Sequence, residues 1–210
     1  MSFNWEIFED VPIVGIARSI DQSTLERIVP IYIEAGLTTL EVTMDSPNAL
    51  ELIAYLNKEY GDQLNIGAGT VRNRDDLELA LRAKANFIVT PILDEFVVKE
   101  CVRLRIPVFP GAYTPTEIYR AWSLGASIVK VFPATSLGST YFKDLKGPFP
   151  EIKLMPTGGI GLDTISDYRR SCKVAGFGIG SPLFPKELIE LGNEANMLDH
   201  FRKFVQAVKK

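Results

Sequence analysis

The sequence predicts an α/β fold, a (β/α)8 TIM barrel, formed as a single domain over residues 1–210 with a short N-terminal helix. Two observations carry the prediction. Short β-rich runs alternate eight times with longer amphipathic stretches, and parallel neighbours joined this way need a crossover between them. The rival, an open doubly wound sheet, usually shows a Gly-rich fingerprint after its first strand. Here that strand ends in Ala17-Arg18-Ser19-Ile20, which has none.

The predicted strands are Val11–Ala17, Thr38–Thr43, Leu64–Gly69, Asn86–Thr90, Ile106–Pro110, Ser127–Phe132, Ile152–Thr157 and Val174–Ile179. Between them lie apolar residues at helical spacing, as in Leu50, Ile53, Ala54, Leu56 and in Leu77, Leu79, Ala80, Leu81, Ala83. Asp21 to Thr24 reads as a helix start, and Ser46-Pro47 as another with proline in the first turn. Gly36, Gly61 and Gly125 read as helix stops. The first ten residues read as a short helix packed against the barrel.

Composition narrows the chemistry. With 46% apolar and 23% charged residues the chain is ordinary globular material. A net charge of -3 gives no reason to expect nucleic acid or an anionic membrane surface. The longest apolar runs are too short to cross a bilayer, and the N-terminus does not read as a signal peptide. Cys101 and Cys172 are far apart and suggest no disulfide framework, so a reduced cytoplasm is expected. His200 is the single histidine and reads as part of a solvated helix face. A Ser-His-Asp site and a zinc site built on several histidines are therefore excluded.

In such a barrel chemistry collects at the C-terminal ends of the strands. Period two along the second strand puts Thr39, Glu41 and Thr43 on one face and Leu40 and Val42 on the other. The apolar set should meet the helices, which leaves Glu41 pointing into the barrel near its top. A carboxylate there is either held in a buried ion pair or functional. Of the lysines, only Lys130 and Lys153 fall within predicted strands. Lys153 starts the seventh, at the bottom, while Lys130 lies near the end of the sixth among apolar neighbours. It is either a lysine snorkelling to the rim or a desolvated amine able to attack a carbonyl. Together with a glutamate, such an amine suggests Schiff-base chemistry on a keto substrate, with Glu41 moving the protons. The turns Pro156-Thr-Gly-Gly-Ile160 and Gly178-Ile-Gly-Ser181 follow strands seven and eight, the usual phosphate cradle of this fold.

These residues resemble a known family. Leu40-Glu-Val-Thr43, Gly67-Ala-Gly-Thr70, Val89-Thr-Pro91, Phe109-Pro-Gly111, Val129-Lys-Val-Phe-Pro133, Pro156-Thr-Gly-Gly-Ile160 and Gly180-Ser181 are similar, in order, to motifs of the 2-keto-3-deoxy-6-phosphogluconate / 4-hydroxy-2-oxoglutarate aldolases. The resemblance implies a metal-independent class I aldolase without a cofactor, usually a homotrimer. Such an enzyme cleaves 2-keto-3-deoxy-6-phosphogluconate to pyruvate and glyceraldehyde 3-phosphate. By the same resemblance Lys130 is the Schiff-base lysine and Glu41 the acid/base. Thr70 lies near the pyruvate carboxylate, Pro91 and Phe132 line the pocket, and Thr157, Gly158, Gly159, Gly180 and Ser181 form the distal, phosphate-binding side. Arg18 is an anion partner.

One position departs from the pattern. Many members carry an arginine where this chain has Asp45, a charge expected to repel an anionic substrate. Arg18 or Arg72 is the expected substitute. Asp45-Ser-Pro47 is closer to the 2-keto-3-deoxy-6-phosphogalactonate branch, whereas Thr157 looks like the gluconate branch. Three alternatives stay open: an aldolase for unphosphorylated 4-hydroxy-2-oxoglutarate, a metal-dependent enzyme on the same fold, and a non-catalytic barrel that binds a sugar phosphate.

Overall fold

The structure, a computed structural model, describes residues 2–209. All eight predicted runs contain strand. β1 is Ile13–Ala17, β2 Thr39–Thr43, β3 Asn65–Gly69 and β4 Ile88–Val89. The fifth run, which ends at Pro110, holds β5, Val108–Phe109; β6, Gly111–Ala112, follows beyond it. β7 is Val129–Val131, β8 Leu154–Pro156 and β9 Phe177–Ile179. Each begins later than the apolar run suggests, because the first residues of a run either still bond to the preceding helix or turn, as the Leu64 N–H does to the Tyr60 carbonyl, or pair on one side only. The Asn86 N–H, for example, donates to the Ile66 carbonyl two residues before β4 begins.

All pairings are parallel. One sheet has the order β5-β4-β3-β2-β1-β9, and a second has β6-β7-β8. A bridge between Thr157 and Gly178 links the end of β8 to β9. The sheet is curled, with helices on its convex side and one, α1 Trp5–Asp10, across its lower end. The others are α2 Gln22–Glu34, α3 Ala49–Tyr60, α4 Arg74–Arg82, α5 Glu95–Leu104, α6 Pro115–Ser123, α7 Gly138–Lys146, α8 Leu162–Ser171, α9 Lys186–Leu191 and α10 Glu194–Lys209.

Capping residues set most helix starts. The Asp21 carboxylate accepts from the Thr24 N–H at 2.9 Å, and Thr114 with Glu117 forms a capping box at α6. The start predicted at Ser46-Pro47 is corrected. α3 begins at Ala49 behind Asn48, whose φ of 55° is left-handed, and the Ser46 hydroxyl bonds elsewhere. Gly36 and Gly125 do end helices in positive φ, at 91° and 98°, whereas Gly61 closes α3 in ordinary helical conformation. Leu79, expected on the apolar face of α4, is 38% exposed, because Leu77 and Ala80 supply the contact with the sheet.

The concave side of the sheet is layered. Its lower layer is one apolar cluster of Phe3, Phe8, Val14, Phe87, Val89, Phe109, Ile128 and Met155. Phe8 of α1 and the preceding Phe3 plug this end, with ring centroids of Phe3 and Phe87 5.3 Å apart. Inward-facing glycines make room for the rings. A Cβ at Gly67 would lie 2.4 Å from the Phe87 ring, so a side chain there and that phenylalanine exclude each other. Burying one such ring stabilises the fold by about 1.5–3 kcal/mol.

Candidate active site

Period two carries the same inner face upward to the C-terminal ends of the strands. On β7 and its flanks Ile128 joins the apolar plug, Lys130 stands one layer above, and Phe132 lies at the mouth. On β2, Glu41 pairs in register with Gly67 of β3, while Lys130 pairs with Gly111 of β6 and Met155 of β8. Glu41 and Lys130 are the charged residues in the buried set among the described residues, at 1% and 5% exposure.

Burial sets the protonation of both. It raises the Glu41 carboxyl to about 7, against the opposing pull of Lys130 and then Arg18. It also lowers the Lys130 amine; the Glu41 charge works against this and the Arg18 charge adds to it. Each group is therefore biased toward its uncharged form: an amine with a free lone pair and a carboxylic acid with a proton to give. Glu41 Oε2 has no hydrogen-bond partner among the described residues, and the Lys130 Nζ sits 5.0 Å from the Phe132 ring centroid.

One cavity of about 510 Å³ opens above this pair. All eleven residues singled out from the sequence line it: Lys130, Glu41, Arg18, Thr70, Pro91, Phe132, Thr157, Gly158, Gly159, Gly180 and Ser181. Two cavities of similar volume, about 480 and 500 Å³, lie at the opposite end, and no buried charged residue lines either of them. Volume alone does not single out a site; the buried amine and acid do. Beyond β8, Gly158 and Gly159 line the cavity with φ of 91° and 70°, left-handed conformations that glycine adopts without strain. The Thr157 hydroxyl is buried without a partner among the described residues.

Four expectations are corrected. Arg72 does not line the cavity; its Nε donates at 3.1 Å to Asp76, four residues on in the first turn of α4. Asp45 does not stand free to repel an anion, because it is ion-paired with Arg18, whose second nitrogen donates to Thr70 Oγ1 at 3.1 Å. Lys153 precedes β8 instead of starting it, and its Nζ lies 5.7 Å from the Trp5 ring centroid at the lower end. His200 is half-buried, not solvated, with Nε2 3.0 Å from the Pro182 carbonyl.

Glycines supply the space that sequence reasoning missed. A Cβ at Gly69 would lie 2.3 Å from Glu41 Oε1, and one at Gly178 would lie 2.3 Å from Thr157 Oγ1. Both side chains therefore rest on bare backbone of the next strand. The signal was present: Gly67 and Gly69, and again Gly176, Gly178 and Gly180, recur at the strand period, where glycine is otherwise a cost. Among the described residues no group of three or more His, Cys, Asp and Glu side chains could share a metal ion. None of the described helices is long and apolar enough to cross a membrane.

A curled parallel sheet with an amine and an acid buried at the C-terminal ends of its strands, both biased by burial toward their uncharged forms, fits an α/β enzyme of carbonyl chemistry. Comparison with known proteins sharpens this. The family model for KDPG and KHG aldolase matches residues 5–199. A curated 2-dehydro-3-deoxy-phosphogluconate aldolase of Treponema pallidum is 36% identical over 87% of this chain and 85% of its own. A solved structure described as native KDPGal superposes with TM-score 0.88 at 28% identity, covering 100% of this chain and 98% of the other. KDPG aldolase from Legionella pneumophila, solved with pyruvate captured as a covalent carbinolamine, superposes with TM-score 0.83 at 26% identity, covering 93% and 95%. The chain belongs to the KDPG and KHG aldolase family, and it is an aldolase.

Proposed function

We propose that this aldolase cleaves 2-keto-3-deoxy-6-phosphogluconate to pyruvate and glyceraldehyde 3-phosphate through a Schiff base on Lys130. The observation that carries the proposal is the buried Lys130–Glu41 pair, each group biased by burial toward the form the chemistry needs. The Lys130 nitrogen adds to the C2 carbonyl. Protonated Glu41 gives a proton to the carbinolamine hydroxyl, which leaves as water, and the iminium forms. Glu41, now a carboxylate, takes the C4 hydroxyl proton as the C3–C4 bond breaks; the bonding electrons flow into the iminium and the aldehyde leaves. Protonation of the enamine at C3 and hydrolysis release pyruvate and restore the amine. Captured pyruvate in the Legionella relative supports the covalent step.

In this reading Arg18 and Thr70 receive the substrate carboxylate, and Pro91 and Phe132 wall the reacting carbons. Gly158, Gly159, Gly180 and Ser181 cradle the phosphate with backbone N–H groups and a hydroxyl. The unpartnered Thr157 hydroxyl fits a substrate hydroxyl and supports the gluconate epimer. Asp45-Ser46-Pro47 and the native KDPGal superposition support a second reading, the galactonate-derived epimer. Parallel assays on the two epimers, with and without the terminal phosphate, test the assignment. Gluconate-derived substrate is expected to give the higher kcat/KM; preference for the other epimer sinks it.

The remaining assignments rest on the same footing. Pro110 as a single interruption between β5 and β6, with the Thr157–Gly178 bridge, supports closure of the sheet into an eight-stranded (β/α)8 barrel, one catalytic domain over residues 1–210. Ile92, Phe96, Tyr113 and Tyr119, at 40–55% exposure on α5, α6 and their leading loops, support assembly as a homotrimer, tested by light scattering. The enzyme acts in the cytoplasm, without a metal or other cofactor, a nucleic acid or a membrane; turnover that survives chelator tests the metal.

A further inference from the structure

Arg18 does not hang loosely over the cavity. One terminal nitrogen donates to Asp45, and the other donates to Thr70 Oγ1 at 3.1 Å. The ends of β1, β2 and β3 meet on this one guanidinium. Behind it Ser46 Oγ accepts the Ser19 N–H at 2.8 Å and shares a hydrogen bond with Thr43 Oγ1 at 2.9 Å. Thr43 and Ser46 are buried, at 0% and 7% exposure. Ser19 and Thr70, the residues flanking the network, both hold left-handed backbone, with φ of 53° and 57°.

Stability does not account for this arrangement. The Arg18 and Asp45 side chains are 54% and 37% exposed, and ion pairs of that kind add little to folding. Left-handed non-glycine residues are a cost, and they persist where the surroundings hold them for a purpose. Arg18 has a long side chain whose rotamers must be frozen before it can present a fixed fork to an anion. Asp45 supplies the fixing contact, and Ser46 anchors the turn from which Arg18 projects. The charge of Asp45 is then no barrier to a keto acid. It occupies one side of the guanidinium and leaves the remaining donors aimed beside Thr70.

We propose that Asp45 and Ser46 are positioning residues that set Arg18 for the carboxylate of the keto acid, and so give this aldolase its preference for an acid over a neutral ketone. The inference rests on the Schiff-base reading above. Its test is borohydride trapping at Lys130 in the full chain, with pyruvate and with hydroxyacetone, a ketone lacking the carboxylate. Asp45→Ala is expected to raise the half-saturating pyruvate concentration about tenfold, leave the rate at saturation within about threefold, and leave hydroxyacetone trapping unchanged. Asp45→Asn keeps an acceptor oxygen for Arg18 and is expected to recover most of the loss; Ser46→Ala should fall between them. Unchanged pyruvate saturation in Asp45→Ala overturns the proposal. So does tighter pyruvate saturation, which would make Asp45 a competitor of the substrate, and so does an equal change for both ketones, which would mean general distortion. A wild-type chain that traps pyruvate nowhere overturns the Schiff-base reading as well, and does so before any variant is compared.

Discussion

The two ends of the same strands follow opposite rules. At the lower end the inner face is a plug of aromatic and aliphatic side chains, Phe8, Phe87 and Phe109 among them, with no charge in it. One or two residues further along the same strands, the inner face carries Lys130, Glu41, a buried unpartnered hydroxyl at Thr157 and several glycines. The lower end gains stability from burial; the upper end gives some up, because it buries ionisable groups and biases them toward their uncharged forms. The comparison explains why cavities of nearly equal volume at the two ends differ in meaning.

The sharpest way to break this contrast is at Lys130. Lys130→Met is expected to lower kcat by at least ~10⁴-fold and to abolish borohydride trapping, read by mass spectrometry. Retained turnover would place the nucleophile elsewhere. Glu41→Gln should cost ~10²–10⁴-fold in kcat while an adduct still forms slowly at Lys130. An unaffected rate would remove Glu41 from the proton path.

At the lower end the expectation reverses. Phe8→Ala should cost about 3–5 kcal/mol of stability in denaturant titration and leave kcat unchanged well below the melting temperature. A selective loss of kcat there would erase the division between the ends.

The smallest expected effect is a gain in stability at the upper end. The folded Glu41 value, about 7, lies above its ordinary 4.5, so folding takes up a proton. The cost of charging this group is absent below pH 4.5, grows as pH rises, and is full above about 7. Glu41→Gln should therefore be more stable than the parent by up to roughly 3 kcal/mol at pH 8, with the gain vanishing near pH 4. A gain at low pH alone would reverse the sign and overturn the burial argument.

Much of this was legible beforehand. Strand runs, the inward direction of Glu41 and the position of Lys130 follow from a period of two and from where an ionisable residue interrupts apolar sequence. The turn after β2 was not legible. Ser46-Pro47 looks like a helix start, yet Ser46 bonds Ser19 and Thr43, partners far apart in the chain or across a tight turn. Arg72 and Arg18 looked equally able to offset Asp45. Only the fold decided between them, because Arg72 is taken up by Asp76 at the start of α4 and Arg18 reaches Asp45 across two strand ends.

By itself the sequence determined the alternation of strand and helix, the inner and outer faces of each strand, and which ionisable residues interrupt its apolar strands, since all of these depend on local period and residue type. The tertiary structure decided burial and partners: that burial raises Glu41 and lowers Lys130, that Gly69 makes room for the Glu41 side chain, and that Asp45 is ion-paired with Arg18. Dielectric surroundings and contacts between strand ends are set by residues distant in the chain, and no local pattern specifies them.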